Sequence, residues 1–215
     1  MVLLMEAQAA LEQLTAADRI LVQQVFKPIG NEYRISVPLP GSTDEGSPIL
    51  FVKQKKLKIK EDIRFRLSQD GDAHLFRIKS RTVFEFAGKH DVFDDHDVAL
   101  GSLGKNFGKS LLRSHWHVYD AADNELFEAH ETSMAIALIR RFAGFVPVVG
   151  GYLDVLQWLP FNFVLQRGGT QIGSYRRVLG KLRDRYVMEL TPEAREIDRR
   201  LLVAFAIALD ALQDR

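Results

Sequence analysis

The sequence predicts a mainly β protein, a β-barrel plus helices, in which about twelve strands close around a buried hydrophobic C-terminal helix. Three observations predict it. Apolar and charged residues alternate with period two through the middle of the chain, the mark of half-buried strands. A unit of aromatic strand, acidic or glycine turn and apolar strand recurs, its first three copies about 25 residues apart. Near the end, Leu201-Leu202-Val203-Ala204-Phe205-Ala206-Ile207-Ala208-Leu209 is apolar on every side, and such a helix must be surrounded by protein or lipid.

Residues 6–26 read as a helix followed by a short extended piece. Leu11 and Leu14 share a face, and Thr15-Ala16-Ala17-Asp18 resembles a restart signal. Pro28, Gly30 and Asn31 break the pattern. Tyr33, Ile35 and Val37 alternate with polar residues and predict a strand, whereas Pro38, Pro40, Gly41, Gly46 and Pro48 predict a loop over 38–48. From Ile49 the chain is β-rich. Leu57 and Ile59 alternate with Lys56, Lys58 and Lys60, and Ile63, Phe65 and Leu67 with Arg64 and Arg66. After the turn cluster Gln69-Asp70-Gly71-Asp72, His74 to Arg81 returns as the partner strand, with Phe76 and Ile78 on one face. A second hairpin runs Asp91-Val92-Phe93, turn Asp94-Asp95-His96-Asp97, Val98 to Leu103. A third runs Trp116 to Tyr119, turn Asp120 to Asn124, Leu126-Phe127. The fourth runs Phe161 to Val164, turn Arg167-Gly168-Gly169, Ile172-Gly173. Such hairpins leave edges, and closing the sheet into a barrel removes them.

In the tail, Thr191 as N-cap, Pro192 at the first helical position and Glu193 in the first turn predict a helix over 192–213. Its apolar run is about 14 Å long, roughly half a bilayer core, so a buried helix is predicted rather than a span. Alternating alanines keep it slim. An eight-strand barrel is nearly filled by its own side chains, whereas one of about twelve can hold a helix. The domain reading is therefore residues 1–32 as an N-terminal helix and opening segment, then a barrel over 33–215 with an apolar insertion at 134–160.

Hydrophobic residues make up 47% of the 215, enough for a core without covalent staples. The absence of cysteine excludes disulfides, thiolate metal sites and a cysteine nucleophile, and fits a reducing compartment. Lys and Arg number 29 against 28 Asp and Glu, so a net charge of +1 gives no global pull toward nucleic acid or anionic membrane. Any basic recognition must be a local patch. Met1 to Met5 is apolar, but Glu6 follows without a basic leader, and no signal peptide is expected.

Lys53, Lys55, Lys56, Lys58 and Lys60, with Arg64 and Arg66, form a basic stripe that could hold an anionic headgroup or finish a solvated barrel face. Arg176, Arg177, Lys181, Arg183 and Arg185 form a second basic group, read as structural pairing with Asp184 and Glu189. Between Phe142 and Leu165 only Asp154 is charged, and Pro147, Gly150, Gly151 and Pro160 prevent one straight spanning helix. There Phe145, Tyr152, Trp158 and Phe161 could touch a membrane interface, pack on the barrel or meet a partner. His115 and His117 share a strand face, and Asp91, Asp94 or Asp97 could complete a metal set. No defined spacing ties these residues together, so surface histidines are expected and no metal or cofactor is assigned. The acidic turn at Asp94 to Asp97 lacks the glycine and terminal glutamate of a calcium loop. Nucleophile-elbow and phosphate-loop motifs are absent, and nothing beyond composition links Ser102 or Ser110 to His115.

Several segments together resemble the tubby C-terminal-like superfamily, in particular its LURP-one-related and phospholipid scramblase-like branch. They are Asp18-Arg19-Ile20-Leu21-Val22-Gln23-Gln24, Phe51-Val52-Lys53-Gln54-Lys55, Ile172 to Arg177, Leu182 to Tyr186, and Ile197-Asp198-Arg199-Arg200 before the apolar helix. The resemblance implies a twelve-stranded barrel around a C-terminal helix, and basic strand residues that bind phosphoinositides. The palmitoylated cysteine segment and acidic calcium loop of animal scramblases have no counterpart here. The resulting expectation is a non-enzymatic cytoplasmic domain, peripheral at the inner membrane face, that binds anionic membrane lipids and no nucleic acid. The alternatives are lipid scrambling, or a scaffold that forms a homodimer through the apolar insertion.

Overall fold

The computed structural model describes residues 2–26, 31–54, 62–81, 89–105, 115–132, 162–178 and 185–211. Helix α1 (Val2–Ala16) leads into β1 (Arg19–Phe26), β2 (Asn31–Pro38), β3 (Glu45–Gln54) and β4 (Asp62–Arg66). Then follow β5 (His74–Ser80), β6 (Lys89–Asp94), β7 (Ala99–Lys105), β8 (His115–Asp120) and β9 (Glu125–Glu131). The chain continues through β10 (Asn162–Arg167), β11 (Thr170–Arg177) and β12 (Arg185–Leu190) to a 3-10 turn (Pro192–Glu196) and helix α2 (Arg199–Ala211). Each strand pairs antiparallel with its sequence neighbour, and β1 pairs with β12, which closes a twelve-strand barrel without an edge.

The tight connections β2–β3, β4–β5, β6–β7, β8–β9 and β10–β11 all lie at one end of the barrel, as up-and-down topology requires. Two of them use the same chemistry. Asp94 Oδ1 accepts the His96 and Val98 amides, and Asp120 Oδ1 accepts those of Ala122 and Asn124. Asp97 and Asp123, each at φ 63°, then take the left-handed position that lets the strand return. At β10–β11, Gly168 and Gly169 supply positive φ instead. Helix α1 covers this end, with Leu14 and Ala10 buried against the core.

Helix α2 threads the barrel from that end to the other. Every side chain from Leu201 to Leu209 is buried. Phe205 meets Trp116, Phe127 and Phe163, one from each of β8, β9 and β10, edge to face at 6.5, 5.6 and 6.4 Å. On β7, a Cβ at Gly101 would run into the Tyr119 carbonyl oxygen and crowd Leu201 at 3.2 Å, so only glycine fits there.

The helix carries three charges against its own dipole: Arg200 in its first turn pairs with Asp198, and the other two are Arg199 at its start and Asp210 in its last turn. Both of these are held by groups outside the helix. Arg199 is buried and donates to the carbonyls of Ala17, Ala194 and Ile197 at 3.3, 2.6 and 3.4 Å. Burial pulls its pKa down, while Asp18, 3.8 Å away, pushes it back up. At the far end, Asp210 accepts hydrogen bonds from the Tyr33 and Tyr186 hydroxyls at 2.8 and 3.2 Å. These two latches fix how far the helix is inserted.

Four sequence expectations change. Residues 19–26, set apart from the barrel in the domain reading, form β1 and close it. The loop expected over 38–48 ends early, because Glu45 to Pro48 already pair with β2. The helix expected over 192–213 is two pieces: Ile197 is extended (φ −86°, ψ 130°), so the 3-10 turn stops and α2 restarts at Arg199. Thr191 makes no side-chain cap; its hydroxyl donates to the Ile172 carbonyl, and Asp198 caps α2 by accepting the Arg200 amide at 2.9 Å.

Replacing Phe205 by alanine is expected to cost about 3–5 kcal/mol in urea denaturation, because three rings lose their shared contact. A loss below about 1 kcal/mol would place that ring outside the core. His90 faces inward beside Ser80, its Nδ1 3.0 Å from the hydroxyl, and burial lowers its pKa below the ordinary 6.5, with Asp91 partly opposing. The unfolded chain then binds a proton more readily than the fold, so stability rises with pH. His90's contribution is complete above about 6.5 and is lost as the pH falls below it. His90→Gln should therefore lose less stability than the native chain between about pH 7 and about pH 5.

Candidate functional site

Inside the barrel, Ile63, Phe65, Phe76 and Ile78 pack on the core, so alternation turns Arg64, Arg66, Arg77 and Lys79 outward. Register places Arg64 opposite Arg77, Phe51 opposite both Arg34 and Arg66, and Lys53 opposite Glu32. Arg34, Lys53, Arg64, Arg66, Arg77 and Lys79 thus share the outer face of β2 to β5. A cleft of about 90 Å³ opens beside them, lined by Glu32, Arg34, Phe51, Lys53 and Gln69 among others. Enclosed small-molecule sites run to roughly 300–1,000 Å³, so this face suits a group that remains largely in water.

Acids are interspersed. Lys53 pairs with Asp70 at 3.5 Å, Arg66 with Asp72 at 3.3 Å and Arg64 with Asp62 at 3.1 Å. Asp62 holds the Arg64 guanidinium more firmly protonated, first by its hydrogen bond and then by its charge. Asp70 and Asp72 are 94% and 93% exposed, so their pairs are worth about 0–1 kcal/mol and another anion can replace them. Arg34 is more firmly held, by half-buried Glu45 at 3.0 Å.

The structure thus brings together Lys53, Arg64 and Arg66 of the basic stripe; Lys55, Lys56, Lys58 and Lys60 lie outside the described residues. Sequence reasoning did not connect Arg34, Arg77 and Lys79 to that stripe. The signal was present in their alternation with Tyr33, Ile35, Phe76 and Ile78, but neighbourhood becomes visible only through strand register. Phe145, Tyr152, Trp158 and Phe161 also lie outside the described residues. In the second basic group Arg176 pairs with Glu189, and Arg185 ties Thr43 O, Asp44 and Gln23 together, while Lys181, Arg183 and Asp184 lie outside the described residues.

His115 and His117 do share an outer face, since Trp116 and Val118 between them point inward. The carboxylates beside them differ from those expected. Asp91 is bound by Arg81, Asp94 by turn amides and Asp97 by Arg77. The neighbours are instead Glu128, whose Oε2 lies 2.8 Å from His115 Nε2, and Glu125, 2.7 Å from His117 Nδ1. Ser102 faces Tyr119 rather than His115, and Ser110 lies outside the described residues. The buried Ser80–His90 contact has no described carboxylate orienting the ring, so no nucleophile–base–acid set converges among the described residues. No helix among them is long and apolar enough to cross a membrane.

Residues 49–210, about three quarters of the chain, match the family model described as LURP-one-related. No curated protein matches the chain.

Proposed function

From the premise that the chain belongs to the LURP-one-related family, within the tubby C-terminal-like superfamily, we propose that it binds anionic phospholipid or phosphoinositide headgroups without covalent chemistry. The observation that carries this reading is the row of outward cations on β2 to β5 beside an open cleft. Phosphate is a natural competitor for the Lys53–Asp70 and Arg66–Asp72 pairs, because those acids give up little on release. Arg66, whose Nη1 also donates to the Gly71 carbonyl at 3.0 Å, offers its remaining outward N–H groups to a phosphate oxygen, and Lys53 offers a compact charge at the cleft.

The same face argues for surface contact rather than a spanning barrel. A membrane-spanning barrel needs an apolar outer band, whereas here the outer positions of β4 and β5 are charged. Among the described residues α2 fills the interior, which favours surface binding over a lipid path through the barrel. In this proposal Lys55, Lys56, Lys58 and Lys60 also bind headgroups, and Phe145, Tyr152, Trp158 and Phe161 contact the membrane interface. The protein would then work as a cytoplasmic, peripheral domain.

Vesicle co-sedimentation tests this. The chain should sediment with vesicles containing phosphatidylserine or a phosphoinositide and stay in solution with pure phosphatidylcholine. Binding should weaken as salt shortens the reach of surface charge. Lys53→Gln combined with Arg66→Gln should reduce binding roughly thirtyfold, at about 1 kcal/mol for each of the two contacts. Equal binding to neutral and anionic vesicles would contradict the proposal. A stable dimer that ignores both vesicle types would favour the scaffold instead.

A further inference from the structure

We propose that the outer face of the β8–β9 hairpin binds one first-row transition-metal dication of the zinc class, through His115, His117 and Glu128. The face stands across the barrel from the basic one, β8 being six places from β2 around the twelve-strand ring. The two sites are therefore independent, and neither reading rests on the other.

Strand geometry builds the site. His115 and His117 are two residues apart on β8, and their rings lie 4.7 Å apart. Glu128 sits directly opposite His117 on β9, in a register anchored by the buried Trp116, Val118, Phe127 and Ala129. One ligand atom from each of His115, His117 and Glu128 lies within 4.8 Å of the others. Tetrahedral zinc, at about 2.0–2.1 Å from its ligands, places them roughly 3.3 Å apart. Side-chain rotation can close that difference while the ladder stays as it is.

The hydrogen bonds prepare the ligands. His117 Nδ1 lies 2.7 Å from a Glu125 carboxylate oxygen, and with the proton on Nδ1 the neutral ring presents its lone pair at Nε2. That Nε2 is buried and has no hydrogen-bond partner among the described residues. A carboxylate holding the far nitrogen of an imidazole is the usual support of a metal-bound histidine. At His115, Nε2 and Glu128 Oε2 share one proton across 2.8 Å. The incoming dication takes that proton's place; a neutral His115 regains the proton at Nδ1 and a charged one releases it to solvent, so the ring that binds the metal is neutral. Both nitrogen and oxygen donors are then used, and the orphaned Nε2 gains a partner.

The donor set selects the metal. Two imidazoles and one carboxylate suit zinc, copper or nickel. Calcium seeks six to eight oxygens, which this face does not offer. Three protein ligands leave a fourth position for water.

Calorimetric titration of the full chain with zinc chloride, and separately with calcium chloride, tests the proposal. Cobalt absorption in the visible range reports coordination geometry. One zinc per chain, a tetrahedral cobalt spectrum and no calcium binding are expected. His117→Ala and Glu128→Gln should each weaken zinc binding at least about tenfold. Glu125 is a positioning residue, so Glu125→Gln should lower affinity by roughly 10- to 100-fold while the one-to-one stoichiometry is kept. His96→Ala, on an exposed turn elsewhere, should change nothing. Circular dichroism confirms that each variant is folded, and His117→Gln replaces His117→Ala if the latter is not. The proposal is overturned if zinc does not bind at micromolar concentration, or if folded His117 and Glu128 variants bind it as the native chain does.

Discussion

The structure depends on one constraint: a helix with no polar face has to be enclosed. From Leu201 to Leu209 there is no side that could meet water, and the run is too short to cross a bilayer. The rest of the chain supplies the enclosure. Twelve strands give the circumference, and Ala204, Ala206 and Ala208 keep the helix narrow enough to fit. Phe205 reaches out to three strands, and Gly101 draws β7 close to Leu201. Apolar packing alone would let such a rod slide. Arg199 and Asp210, each opposed to the helix dipole, tie its two ends to distant parts of the chain, Arg199 to the Ala17 carbonyl and Asp210 to the Tyr33 and Tyr186 hydroxyls.

Once the interior belongs to the helix, chemistry is confined to the outside. Outward positions on β2 to β5 carry cations, and those on β8 and β9 carry histidines and glutamates. Both sets are displayed by a rigid antiparallel ladder, so their spacing is set by strand register rather than by loops. The acidic turns beside them are spent on structure. Asp120 is held below the ordinary carboxylate range mainly by Asn124, through its side chain and then its backbone amide, with Ala122 adding to the effect. Asp94 accepts two turn amides in the same way. These carboxylates shape hairpins and are not assembled into a calcium loop.

Much of this was legible in the sequence because it is local. Alternation around Phe65 and Phe76, the turns at Asp94, Asp120 and Gly168, and the apolar tail each specify their own element. What was not legible is what distance in sequence conceals. Nothing near Arg19 announces that it lies opposite Glu189, yet that pairing makes β1 part of the barrel. The break at Ile197 was hidden because Thr191-Pro192-Glu193 is a valid helix start, while the real cap, Asp198, lies seven residues on. At the sites, same-face relations within a strand could be read, as for His115 with His117 or Arg64 with Arg66. Cross-strand relations could not, so Glu128 and Arg34 emerged only from the register.

Amide hydrogen exchange tests the enclosed helix most directly. Sheltered within a closed barrel, the amides of α2 in its middle turns can meet water only when the barrel itself opens. They should therefore exchange with the free energy and denaturant dependence of global unfolding, matching central amides of β10 and β11. Exchange of those α2 amides through a cheaper opening, with little denaturant dependence while the strands stay protected, would contradict the account.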